Sequence, residues 1–249
     1  MKKSLIILIF SVSLVSAQRQ ERDTIFVQRS EVDTLFSSVP TPVFSLGVSG
    51  GAAFLNPEAI NNQIEFNNSV FNESQSPVKT VAQWTAWFSF RPKNMPTFFS
   101  VRGEYITVSR TFSYVGAVTD SVGRVQRKFN ASFTSNYSLY PLSINTGSYI
   151  PKTTVKMEIG FVYAYASLAT TTDMDSYGSS KTSYTGEGYG FRMDLQQVIP
   201  ISGAISFTVE FGYRYLNLDD FRDSKGRLLD NFSVSYSGAS VQAGFSYGF

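Results

Sequence analysis

Residues 205–215 alternate without a break, and this alternation constrains the fold more than any other feature of the chain. Ile205, Phe207, Val209, Phe211, Tyr213 and Tyr215 occupy one parity; Ser206, Thr208, Glu210, Gly212 and Arg214 occupy the other. A period of two places the sets on opposite faces of an extended strand. One such strand suits a soluble sheet as well as a membrane. Its repetition, up to the terminal Phe249, reads as a closed membrane barrel: apolar outside, polar inside, with no open edge.

Seven further segments carry the pattern. In 43–54, Phe44, Leu46, Val48, Ala52 and Phe54 oppose Ser45, Gly47, Ser49 and Gly51. In 81–91, Ala82, Trp84, Ala86, Phe88 and Phe90 oppose Gln83, Thr85, Ser89 and Arg91. In 98–112, Arg102, Glu104 and Arg110 share a parity that Ile106 and Val108 interrupt. The apolar side of 128–142 is Phe129, Ala131, Phe133, Tyr137 and Leu139, and is expected to face outward like the others. Met157, Ile159, Phe161, Tyr163 and Tyr165 oppose Lys156 and Glu158 in 155–168; Tyr189, Phe191, Met193 and Leu195 oppose Arg192 and Asp194 in 186–198. The last strand ends with Val241, Ala243, Phe245, Tyr247 and Phe249 on one face. Phe232, Val234 and Tyr236 fall in the opposite phase, which implies a bulge near Gly238.

The connections support the same count. Segments 92–96 and 199–203 are tight and 143–152 is intermediate, whereas 56–77, 113–125, 170–183 and 217–231 read as long loops. Short and long links taking turns match short periplasmic turns and longer surface loops. The expected fold is all-β, an eight-stranded antiparallel up-and-down transmembrane β-barrel with both termini periplasmic.

A soluble ligand-carrying barrel also alternates, but turns its aromatic side inward. Charged residues make up 16% of the chain, too few to cover eight water-facing strands, and the 22 Phe and 14 Tyr suit an aromatic-girdled surface. The ionisable set Arg102, Glu104, Lys156, Glu158, Arg192, Asp194, Glu210 and Arg214 therefore points to the lumen. An eight-stranded interior is filled by side chains. These residues are expected to form a salt-bridge network plugging it; the alternative is a narrow channel for ions or small solutes.

Residues 1–17 have the form of a signal peptide: Lys2 and Lys3, an apolar stretch over 5–15, then Val15-Ser16-Ala17 as a cleavage site. Residues 18–40 form a charged leader in which Asp23-Thr24-Ile25-Phe26 is echoed by Asp33-Thr34-Leu35-Phe36. It reads either as a mobile periplasmic segment or as a docking segment for a periplasmic partner. Residues 41–249 make the barrel domain.

FSLGVSGGAAF (44–54), YSLYPLSI (137–144, with Pro141 near the strand end), FGYRYLNL (211–218) and the terminal GFSYGF (244–249) together resemble the small outer-membrane β-barrel families of Gram-negative bacteria, including the porin-family or PorT-like β-barrel domain. The resemblance spans about 43–249. It implies contact with outer-membrane lipid and lipopolysaccharide, and recognition of the aromatic end at Phe249 by the barrel-assembly machinery. It carries over no active-site residues.

The chain contains no histidine and no cysteine, which removes the usual base for activating a hydroxyl and the commonest metal ligands. Glu104, Glu158, Asp194 and Glu210 are the carboxylates a hydrolase would need, but each has a basic residue nearby on its own strand. Asp173 and Asp175, and Asp219, Asp220, Asp223 and Asp230, lie in loops without the spacing of a calcium site. Ile60, Ile64, Phe66, Val70 and Phe71 in the Asn-rich loop are expected to fold over the barrel rim, the alternatives being contact with a partner or with lipopolysaccharide. A net charge of +2 without a basic run gives no reason to expect nucleic acid. The expected role is non-enzymatic, structural or surface-interacting, without a cofactor or metal.

Overall fold

The computed structural model describes residues 43–249 apart from Asn94, Asp120, Lys152, Ser176, Tyr177, Asp230 and Asn231. The expected signal peptide (1–17) and leader (18–40) lie outside the described residues. The elements run β1 (Phe44–Leu55), α1 (Glu58–Phe71), β2 (Thr80–Phe90), β3 (Thr97–Thr119), β4 (Val125–Tyr149), β5 (Val155–Met174), β6 (Gly178–Ser202), β7 (Ile205–Asp223), β8 (Val234–Ser235) and β9 (Gly238–Gly248). All pairings are antiparallel. Neighbours follow the order β6-β5-β4-β3-β2-β1-β9-β7, and a β6–β7 pairing closes the ring.

β8 and β9 are two pieces of the eighth ribbon. Asn217 opposes Ser235 and Arg214 opposes Gly238, so both pieces keep one register along β7. The bulge expected near Gly238 is therefore absent; the change of phase belongs to the side chains, not to the backbone.

That distinction holds around the barrel. Within the short-turn half, outward positions are apolar: Leu46 and Val48 on β1, Val101 on β3, Leu142 and Ile144 on β4, Ile159 and Phe161 on β5, Phe191 and Met193 on β6, Phe211 on β7 and Phe245 on β9 are all exposed. Trp84, Tyr105, Tyr140, Tyr165, Tyr189 and Tyr215 bound this belt above. Tyr105, Tyr140 and Tyr165 touch in sequence, with ring centroids 5.3 and 6.4 Å apart. Amphipathic rings at such a boundary mark a membrane–water interface.

Beyond the girdle the pattern inverts. Inward positions become apolar (Ile106, Val108 and Phe112 on β3, Leu216 and Leu218 on β7, Val234 and Tyr236 on the eighth ribbon), while Thr107, Ser109 and Thr111 face out. The strands have left the hydrocarbon and pack as a water-soluble protein does. This corrects two expectations. Phe133, Tyr137 and Leu139 of β4 point inward, into the outer core, rather than toward lipid. Ile106 and Val108 do not break the register of β3 but line the same core.

The strands also outrun the expected loops. β3, β4 and β6 span 23, 25 and 25 residues, whereas a tilted crossing needs about 9–11. Most of 113–125 and 170–183 is hairpin, and 143–149 belongs to β4. Ser- and Thr-rich stretches that are wet outside the barrel show little alternation, which hid them. In β7 a further register shift accompanies Asp220 (φ 54°), and Phe221 beyond it turns into the core.

The remaining long link, 56–79, contains a helix. Ile60 and Ile64, four residues apart, share one face of α1 and sink into the outer core. Asn72, in the left-handed region at φ 53°, ends the helix. Phe71 stacks on Phe112 and Phe133 at 5.7 and 6.1 Å. Glu73 Oε1 accepts a 2.6 Å bond from the Ser113 amide, which holds its carboxyl below the usual range and ties the helix end to β3. Of the residues expected to cover the rim, Ile60, Ile64 and Phe71 do so; Phe66 and Val70 stay exposed.

Val101 and Val115 lie on the same outward face of β3, 45% and 65% exposed, on either side of the girdle. Val101→Arg should cost about 2–4 kcal/mol, as for a cation placed toward the middle of the bilayer. Val115→Arg should stay within about 0.5 kcal/mol, as for an exposed surface site. Urea unfolding in lipid vesicles compares them; equal costs would contradict a lipid-to-water boundary at Tyr105.

Candidate functional site: the charged interior of the barrel

The inward parity inside the belt brings ionisable residues from β3, β5, β6 and β7 to one level. Arg102 reaches Glu158 and Glu210, each at 2.6 Å. Arg192 grips Asp194 with two nitrogens, at 2.6 and 2.8 Å, and touches Glu210 at 3.2 Å. Glu104 bridges Arg192 and Arg214. The contacts form a chain of alternating sign: Glu158, Arg102, Glu210, Arg192, Glu104, Arg214, with Asp194 branching from Arg192. All seven side chains are buried.

Three guanidiniums against four carboxylates leave one formal negative charge. Lys156, the eighth residue expected in the network, would cancel it but makes no ion pair with a described residue. Its ammonium lies over Phe98 and Tyr149, 5.2 and 5.4 Å from the ring centroids. It sits two residues from Glu158 on the same inward face, toward the short-turn end of β5.

Neutral polar residues complete this level. Ser100 donates to Glu158 at 2.5 Å, and Asn145 donates to Ser100 and Ser143 at 3.1 and 3.2 Å. Ser49 and Thr85 both donate to Gln242 Oε1, at 2.9 and 2.8 Å. Trp87 is buried beneath Arg102, whose guanidinium lies 5.3 Å from the ring centroid. A Cβ on Gly47 would overlap that indole, so the small residue on β1 makes room for the large one on β2. An aromatic residue in such a barrel is expected to face lipid, which hides Trp87; its parity with Gln83, Thr85 and Ser89 is the signal that it faces inward. Ser100, Asn145 and Gln242 offered only parity as well.

Among the described residues no group of three or more carboxylates is arranged to hold a metal ion. Asp223 instead accepts from the amide and guanidinium of Arg227, at 2.9 and 2.7 Å, and from the Lys225 amide at 2.8 Å, which keeps its carboxyl below the ordinary range. Asp175 accepts from Asn130 at 2.9 Å. Each of the four interior carboxylates meets an arginine. Arg110 is half-buried, well above the network on β3. Phe249 closes the seam: its amide and carbonyl pair with those of Phe44 at 2.9 and 3.0 Å, and the rings stack at 5.7 Å.

An aromatic-girdled ring of eight antiparallel strands around a buried polar layer is a membrane-spanning β-barrel of the small outer-membrane type. No family model matches the sequence, and no curated protein matches it. Among solved structures, the chain is similar to the attachment invasion locus protein Ail of Yersinia pestis, solved with the heparin analogue sucrose octasulfate: 14% identity, 82% of this chain and 99% of that one, TM-score 0.42. A major outer membrane protein of Thermus thermophilus aligns at 11% identity over 83% and 99%, TM-score 0.44. The outer membrane protein OprG of Pseudomonas aeruginosa aligns at 11% over 84% and 97%, TM-score 0.39. At these identities the likeness is one of chain course alone.

Arg102→Met strands Glu158 without its arginine and takes one of two from Glu210. The loss should be about 3–5 kcal/mol, as for a buried ion pair deprived of one partner. Adding Glu158→Gln and Glu210→Gln should recover part of it. Urea midpoints of the single and triple variants, read by the mobility shift between folded and unfolded barrel, test this. A single variant as stable as the parent would rule out the ion chain as a structural element.

Proposed function

We propose that this protein is a non-enzymatic outer-membrane barrel that spans the bilayer as a stopped cylinder and acts as a structural or surface-interacting element. The observation carrying the reading is the double filling of the interior. A chain of ion pairs occupies the membrane level, and Ile60, Ile64, Ile106, Phe112, Leu216 and Val234 pack above it. An ion crossing this path would have to break the arginine–carboxylate contacts and then enter apolar packing, and each step carries a desolvation cost.

The absence of histidine and the arginine contacts of every interior carboxylate favour ion-pair duty over hydrolysis. The surface role is supported by the outer extensions. The β3–β4 hairpin pairs with β2 only up to Ile106 and with β5 only from Ala131 onward, so its distal part projects as a two-stranded ribbon. Exposed Val115, Val122 and Val125 on it offer contact area to a partner outside the cell.

In the same reading, residues 1–17 direct export and 18–40 remain as a periplasmic leader able to meet a partner there. The short turns and both termini face the periplasm, Phe249 serves as the signal read by the barrel-assembly machinery, and the outer extensions sit among lipopolysaccharide.

Purified protein in planar bilayers should show no stable unitary conductance. A conductance that changes on substituting Arg102 or Lys156 would replace this reading with the narrow channel. Orientation has its own test, because the chain contains no cysteine. Val122→Cys should react with a membrane-impermeant maleimide on intact cells and Thr153→Cys only after lysis; the reverse would invert the barrel.

A further inference from the structure

We infer that the open edge of β3 pairs with the same edge of a second copy of this protein in a facing membrane, an inference that rests on the surface role proposed above and names its partner. β2 accompanies β3 only up to Ile106. Farther out, the segment after α1 lies beside β3: Glu73 accepts from the Ser113 amide, and Gln75 donates to the Thr111 carbonyl. These two bonds fix the direction of the backbone. Odd-numbered residues of this stretch turn N–H and C=O away from β4. Val115 and Ala117 are next in that row, and no described residue meets their outward-turned groups.

Charge selects the occupant. Residues 113–119 of β3, Ser-Tyr-Val-Gly-Ala-Val-Thr, carry none. The other distal edges are guarded: β4 beyond its pairing with β5 carries Arg127 and Lys128, and β6 beyond its pairing with β7 carries Lys181. A strand that adds to β3 must be extended and equally uncharged, and among the described residues the open edge of that kind is β3 itself. Antiparallel pairing about Gly116 sets Val115 of one copy against Ala117 of the other and joins the free groups of both. It is a closed two-fold contact, and it leaves Arg127 and Lys128 at the outer margins of the joint sheet. Pairing through β4 would bring those cations together. An isolated two-stranded ribbon is marginal in water, whereas a wider sheet is not. Because β3 rises away from the bilayer in each copy, antiparallel partners belong to barrels in two facing membranes.

Val115 and Ala117 are both exposed, and the chain has no cysteine of its own. Proteoliposomes bearing Val115→Cys, mixed with proteoliposomes bearing Ala117→Cys and mildly oxidised, should give at least about tenfold more disulfide-linked dimer than either population alone, since like positions lie too far apart to bridge. Wild-type proteoliposomes should clump, as read by light scattering. Ala117→Pro, which removes the outward N–H and spares the bonds to β4, should disperse them. Ala117→Lys, which keeps the N–H and sets a charge on the edge, should do the same. Equal dimer from mixed and unmixed populations, dispersed wild-type vesicles, or clumping that survives both substitutions would overturn the inference. Val115→Cys on intact cells should also react with an impermeant maleimide. If it does not, the surface reading itself fails; labelling without pairing removes only the self-association.

Discussion

Hydrocarbon offers no partner to a backbone amide or carbonyl, and each group left unpaired there costs several kcal/mol. The structure meets this demand by closure. β6 pairs with β7, β9 pairs with both β1 and β7, and the last residue bonds back to the first residue of β1. Once the ring is closed, every strand residue has two places to go, the surface or the lumen, and a step of one residue exchanges them. Side-chain chemistry then has to agree with that choice at every height.

Two different interiors result. At membrane level the inward face carries buried arginines and carboxylates that would be prohibitive singly and are tolerable because each finds an opposite charge. Above the girdle the inward face carries aliphatic and aromatic side chains that pack with Ile60 and Ile64 of α1. The hydrophobic effect, which gains nothing from sorting apolar groups between lipid and an apolar lumen, acts fully in the outer half, where burial removes surface from water. Ion pairing and hydrogen bonding hold the inner half; apolar packing holds the outer one.

How far this was legible in the sequence follows the same boundary. β7, β5 and β6 show their inner halves as clean alternation, and the inward direction of Arg192, Glu210 and Arg214 could be read from parity. On β4 the most alternating part, Phe129 to Leu139, lies beyond the girdle, where apolar means inward, so its pattern points the wrong way. The bulge assigned near Gly238 arose the same way, from Val234 and Tyr236. α1 escaped notice because an Asn-rich segment looks like a loop; only Ile60 and Ile64, at helical spacing, carried the information. Trp87 was hidden by the reasonable expectation that a tryptophan seeks the interface, when here it backs an arginine.

The inversion leaves a readable mark. At the crossing, two consecutive residues are apolar because the first faces lipid and the next faces the outer core, or the reverse: Tyr105-Ile106 on β3, Leu139-Tyr140 on β4, Tyr215-Leu216 on β7. Such a pair looks like a slip of register, yet the backbone register is the same on both sides of all three. The same logic explains why charge is placed at membrane level at all. Were the inward positions there apolar too, β5 would become one continuous apolar run of the kind a secretion pathway reads as a spanning helix. Lys156 and Glu158 interrupt it, and mean hydropathy over the chain stays near neutral at −0.06. Having been made polar for passage, the inward face must then be neutralised for folding. The arginine–carboxylate chain does so through contacts between buried side chains of four strands.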